Sequence, residues 1–200
     1  MRSLATLALS LVLTAAAQSP IATEPTPFLV DMNIIPKVTC GDYMGTGVYV
    51  GSGDVATARH VISASKAACT VDGSTSTFAG GAAGKDFVLL HVKNAPPLRA
   101  LINCQGFIEG HHYLAVGYAL DAPRPVEQRL VGSFSASDAP GFRGLIIFRG
   151  SVTQGMSGGP IFDEEDGSLV GIINANSEMG ITESLGFPLS ASPLCAGRKA

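Results

Sequence analysis

The sequence predicts an all-β protein with about five or six strands per half, which suggests two small barrels with a cleft between them. Three observations lead there. Apolar residues come in brief runs bounded by Gly, Asp, Ser and Asn, the punctuation of strands rather than of helices. Glycine occurs 24 times and proline 12 times in 200 residues, enough turn-formers for many short strands. Helical periodicity is confined to the first residues and to a short stretch from Ile62 to Ala68. With 46% hydrophobic and 14% charged residues, the chain is composed to form a core, not to stay disordered.

Residues 1–17 read as a secretory signal: Arg2 supplies a positive start, Leu4 to Ala17 is uncharged and mostly apolar, and Ala15-Ala16-Ala17 offers small residues for cleavage before Gln18. As a membrane anchor the run is short and weak. A secreted or periplasmic protein is therefore expected, with no membrane contact once the signal is removed. Residues 18–36 hold four prolines and little periodicity, and predict a flexible or extended lead-in.

The first barrel is expected over residues 37–95, with strands at Gly45–Val50, Asp54–Ala58, Cys69–Val71, Ser76–Phe78 and Phe87–Val92. Pro96-Pro97 opens a connector over 96–104. The second barrel and tail take 105–200, with strands at Tyr113–Tyr118, Gln128–Gly132, Leu145–Phe148, Gly159–Phe162, Ser168–Ile173 and Leu185–Pro188. No internal repeat is strong enough to prove a duplication. Asp163-Glu164-Glu165-Asp166-Gly167 reads as a solvated hairpin tip, with a cation site as the other reading. The formal charge is -3 and Lys and Arg never cluster, so no nucleic acid or anionic membrane is expected as a partner.

Four cysteines, Cys40, Cys69, Cys104 and Cys195, follow the signal, and an even count in an exported chain argues for two disulfides. Three connectivities are possible. Cys40 and Cys69 bracket His60, and a bond between them would hold the loop that carries it, leaving Cys104 with Cys195. No C-x-x-C spacing or His-rich set suggests a metal, and no cofactor is implied. His111 and His112 read as an exposed pair before a strand, and His91 as a strand residue.

The most informative stretch is Gly155-Met156-Ser157-Gly158-Gly159-Pro160. Glycines around a serine allow a tight turn and keep bulk away from its hydroxyl, while nearby amides can face a developing oxyanion. A base is available in Ala56-Thr57-Ala58-Arg59-His60-Val61-Ile62, just past a strand. A carboxylate is available in Gly84-Lys85-Asp86-Phe87-Val88-Leu89-Leu90, where the apolar strand can carry Asp86 into a semi-buried place and let it fix an imidazole tautomer.

Through these motifs, and through Gly45 to Val50, Leu169-Val170-Gly171-Ile172-Ile173-Asn174 and Gly186-Phe187-Pro188, the chain resembles the compact chymotrypsin-like (trypsin-fold) serine peptidases of bacteria and viruses. The resemblance covers about residues 38 to 195 and implies two six-stranded antiparallel barrels with the active site in the cleft between them. It implies Ser157 as nucleophile, His60 as general base and then acid, Asp86 as the orienting carboxylate, and the amides of Gly155 and Ser157 as oxyanion hole. It also implies a protein or peptide substrate. The pocket would be built around Ser151, Val152, Thr153, Ile173, Asn174 and Asn176. Ser151 carries no charge at its base, which points away from Arg or Lys and toward a small or medium uncharged residue. In zymogen-activated members an aspartate directly precedes the serine; here Met156 stands there and cannot form an ion pair, so no activation by N-terminal insertion is expected.

Two other classes compete. An esterase or lipase of the Gly-x-Ser-x-Gly type places its histidine after the serine, and no histidine follows Ser157. A non-catalytic binding protein on the same fold is the stronger rival.

Overall fold

A computed structural model describes residues 28–120, 122–136, 143–176 and 183–197. The expected signal and the first part of the lead-in lie outside these residues. From Phe28 to Pro36 the chain is docked rather than free: a 3-10 turn spans Met32–Ile34, Ile34 and Ile35 are buried, and the Phe28 ring lies 5.6 Å from that of Phe162. The prolines there break periodicity without removing apolar residues, which is why the sequence pattern hides this packing.

The first half contains β1 (Lys37–Cys40), β2 (Tyr43–Thr46), β3 (Val48–Gly51), β4 (Asp54–Thr57), β5 (Cys69–Val71), β6 (Ser74–Gly81) and β7 (Val88–Val92), with a short helix α1 (Arg59–Ser63) after β4. These strands form one antiparallel sheet ordered β2-β1-β5-β6-β7-β4-β3. The two edge strands β2 and β3 are consecutive in the chain, separated only by Gly47. The chain thus passes directly from one edge of the curled sheet to the other, and the single strand expected at Gly45–Val50 is broken in two there.

The second half contains β8 (His112–Gly117), β9 (Val126–Ala136), β10 (Ile146–Arg149), β11 (Pro160–Asp163), β12 (Leu169–Asn176) and β13 (Glu183–Pro188). They form a closed six-stranded barrel ordered β10-β13-β12-β11-β8-β9. The all-β architecture of one closed barrel and one curled sheet is the two-barrel fold expected. Between β7 and β8 only isolated bridges occur, Val50 with Arg99 and Ile102 with Leu169, so this stretch touches both halves.

Alternation along the strands fills the cores. Tyr113, Ala115, Leu130, Phe148, Val152, Met156, Ile161, Val170 and Ile173 form the interior of the second barrel. A larger cluster runs from Val38, Val48 and Val55 of the first half to Leu114, Phe162 and Phe187 of the second. Within it the rings of Phe87 and Phe187 stack at 5.2 Å, clamping the two halves together one residue from Asp86. Two disulfides, Cys40–Cys69 and Cys104–Cys195, complete the frame in the pairing that places one bond across the His60 segment. No helix among the described residues is long and apolar enough to cross a membrane.

Candidate active site

Strand β4 ends at Thr57 and the chain turns at once into α1, whose second residue is His60. Asp86 lies just before β7. Its carboxylate accepts the His60 backbone N–H on Oδ1 at 2.7 Å, and Oδ2 lies 2.5 Å from His60 Nδ1. Oδ2 also accepts from Asn174 Nδ2 at 2.6 Å, across from β12. Burial alone would raise the Asp86 pKa; the hydrogen bond and charge of His60, then the Asn174 amide, outweigh it and hold the carboxyl below its ordinary range. Asp86 is therefore an acceptor only, which sets His60 Nδ1 as the donor of this bond and turns Nε2 away from the carboxylate. The imidazole is about half exposed, 48%.

Ser157 enters from the second half, on the turn between Val152 and β11. Gly155 and Gly158 adopt φ of +92° and +83°, conformations that side chains disfavour. At Gly158 any Cβ would lie 2.2 Å from Thr57 Oγ1 and 2.3 Å from the Thr46 carbonyl oxygen, so the serine turn touches the end of the histidine-bearing strand with no room to spare. Met156 N–H donates to Thr153 O and Gly158 N–H to Ile173 O. The amides of Gly155 and Ser157 have no acceptor among the described residues. The Met156 side chain is fully buried in the second barrel.

Thr46, at the end of β2, ties this turn to the first half. Its N–H donates to the Ser157 carbonyl at 2.8 Å, and its hydroxyl donates to the Gly155 carbonyl at 2.9 Å while accepting from Tyr118 N–H at 2.8 Å. Thr57 Oγ1 in turn donates to the Thr46 carbonyl at 2.7 Å. The two bonds donated by the threonine hydroxyls are buried, and no local sequence signal marks Thr46, because its partners are distant in the chain.

The Ser157 hydroxyl donates to the Asn174 carbonyl at 3.4 Å; among the described residues no hydrogen bond joins it to His60. Asn174 thus touches both ends of the constellation, its amide on Asp86 and its carbonyl on Ser157. Its side chain, 3% exposed, is committed to Asp86 and does not line an open pocket. Val152 and Ile173 are likewise core residues, while Ser151 and Thr153 are exposed beside the turn. The Asn176 backbone pairs with Ser184 in β13, and its side chain lies outside what is described. A surface depression of about 490 Å³, lined among others by Tyr49, Asp72, Asn94 and Leu98, shares no residue with this constellation.

Two other histidines, His91 and His111, are occupied elsewhere. His91 pairs with Asp54 across β7 and β4 at 2.9 Å. His111 Nδ1 lies 2.8 Å from buried Asp163 and its Nε2 is 3.4 Å from Glu165, so the acidic turn folds back on it. No group of side chains able to hold a metal ion occurs among the described residues.

Comparison with known proteins decides the family. Residues 45–172, well over half the chain, match the model of the trypsin-like peptidase domain. The protein belongs to that family. Among solved structures, an inactive serine-to-alanine form of Rv3671c from M. tuberculosis is similar at TM-score 0.65 and 21% identity, over 83% of this chain and 89% of that one. The serine endoprotease from Yersinia pestis is similar at TM-score 0.66 and 20% identity, over 80% of this chain and 60% of its own. The HtrA-type protease AlgW with a tripeptide gives 0.66 and 16%, over 78% and 56%. At such identities these structures attest the fold alone. No curated protein matches the chain in sequence. The trypsin-like peptidase family supports a serine peptidase acting on proteins or peptides, the substrate class that the resemblance implies.

Proposed function

We propose that this trypsin-like protein is an exported serine endopeptidase that cleaves peptide bonds through Ser157, His60 and Asp86 by way of an acyl-enzyme. The observation that carries the reading is the Asp86 carboxylate, which accepts from His60 on both oxygens and is steadied by Asn174, whose own carbonyl meets the Ser157 hydroxyl. A turn of the Ser157 hydroxyl toward the free lone pair of His60 completes the relay. Catalytic hydrogen bonds of this kind tighten only when substrate is bound.

In the reaction, Ser157 Oγ attacks the scissile carbonyl as His60 Nε2 takes its proton. The C–O bond forms and the carbonyl electrons move onto oxygen, which the open amides of Gly155 and Ser157 receive. His60 then gives the proton to the departing amine as the C–N bond breaks. Water, deprotonated by the same imidazole, releases the acid and restores the serine. Uncharged Ser151 beside the turn favours a small or medium uncharged residue before the cut. The buried Met156 holds the turn by packing, so no new N-terminus is required. The two disulfides fit an oxidising compartment and signal cleavage before Gln18.

The test is covalent labelling of Ser157 by a fluorophosphonate or sulfonyl fluoride. Labelling that His60→Ala abolishes supports the enzyme, and Ser157→Ala should lose peptide hydrolysis while keeping its fold. The orientation of Ser157 toward the Asn174 carbonyl favours one other reading, an inactive binding protein on the same scaffold. Folded protein that never labels would decide for it.

A further inference from the structure

We propose that Arg59 is a positioning residue for the Asp86–His60 pair, acting through the main chain of residues 82–87. The proposal rests on the triad reading above. Arg59 opens α1, directly before His60. Its guanidinium is spent on backbone oxygens of one loop: Nε donates to Lys85 O at 2.9 Å, and Nη2 to Ala82 O at 3.1 Å and Phe87 O at 3.4 Å. The Lys85 and Phe87 carbonyls lie on either side of Asp86. No carboxylate pairs with Arg59 among the described residues.

The loop needs this clamp. Ala83 and Gly84 are exposed, Gly84 sits at φ +65°, and its internal backbone bonds are Lys85 N–H to Ala82 O and Ala82 N–H to Phe87 O, both 3.2 Å. Those bonds close the turn on itself but do not tie it to α1. Space for the clamp is also built in: a Cβ at Gly81 would come 2.9 Å from Arg59 Nη2, as well as 2.6 Å from Phe87 O. Side chain and loop thus fix the distance between the helix holding the base and the turn holding its carboxylate. The planar fork reaches these oxygens from two nitrogens held in fixed geometry, whereas the donors of a lysine all sit on one nitrogen at the end of a flexible stem. The clamp extends into the second half, where Lys85 Nζ donates to Arg143 O at 3.1 Å.

The experiment compares the full, disulfide-bonded chain with Arg59→Ala and Arg59→Lys. It reads the rate of Ser157 labelling by a fluorophosphonate and the low-field proton resonance of the His60 Nδ1–H bound to Asp86. We expect labelling to slow by about tenfold to a hundredfold in both variants, the scale of a sub-ångström misplacement of catalytic groups. The resonance should broaden or vanish, and millimolar guanidinium should partly restore the Arg59→Ala rate without accelerating wild type. A purely structural role would alter melting but leave the folded protein's resonance and rate intact. Wild-type labelling rate with an intact resonance in either folded variant overturns the proposal; if Arg59→Ala does not fold, Arg59→Lys decides. If wild type itself never labels, the peptidase reading fails and the resonance alone decides the role of Arg59.

Discussion

Asn174 gives its amide to Asp86 and its backbone oxygen to Ser157, and both halves of that role are open to measurement. Because the folded Asp86 pKa is lowered, its contribution to stability is complete above the ordinary value of 3.8 and is lost as pH falls through the lower folded one. Asn174→Ala removes one donor, so acid unfolding followed by circular dichroism should shift to higher pH, and peptide hydrolysis should fall about tenfold for the loss of one charge-assisted bond. His111 runs the other way. The Asp163 hydrogen bond raises its pKa above 6.5, partly opposed by burial and reinforced by the charges of Asp163, Glu165 and Asp166. Its contribution is complete below 6.5 and fades as pH rises through the raised value. The melting temperatures of wild type and His111→Asn should therefore differ more at pH 5.5 than at pH 8.5 (about one pH unit or more to either side of 6.5); equal differences would refute the coupling. The candidates His60, Asp86 and Ser157 stand out in the sequence because their motifs are local. Asn174 and Thr46 were not readable in their observed roles, since the bonds that define them join residues 88 and 109 positions apart.

At the scale of elements, most strands were legible because β-rich runs meet turn residues at their ends. Two features were not. Strand β1, Lys37–Cys40, is four residues long with only alternate positions buried, too brief to stand out beside the prolines before it. The break at Gly47 falls inside Gly45-Thr46-Gly47-Val48, which reads as continuous apolar strand; only the packing there, where a Cβ would meet Val55 Cγ1 at 2.5 Å, shows why the chain needs a glycine. The bond between Cys40 and Cys69 joins β1 and β5 at paired positions 29 residues apart and encloses α1. Replacing both cysteines with alanine should cost about 3–4 kcal/mol in urea unfolding, from loop-closure entropy. The serine turn responds to a smaller change. Gly158→Ala should destabilise by about 3 kcal/mol or more, since strain and overpacking add there, and Ser157 labelling should fall with it. A variant as stable and reactive as wild type would contradict the contacts described.

For the whole molecule, the proposed catalysis depends on how two separately built halves are held together. The Phe87–Phe187 stack and the bonds of Thr46 do this at the cleft, and Cys104–Cys195 ties the tail to the stretch between the halves. Phe87→Ala should lose about 3–5 kcal/mol. Because Phe87 adjoins Asp86, hydrolysis measured on the folded variant should drop as well; loss of stability with unchanged turnover would mean the stack is not coupled to the site. The two-barrel plan itself was legible from composition and spacing, but the docking was not, because aromatic partners a hundred residues apart leave no pattern in a window. One last consequence concerns Phe28, which lies against Phe162 and over Gly167 of the second half while the strand it leads into belongs to the first. The amino-terminal stretch therefore works as a strap across the seam. Proteolytic trimming that spares this ring should be harmless, whereas trimming past it should loosen the seam and blunt the proposed activity from a distance.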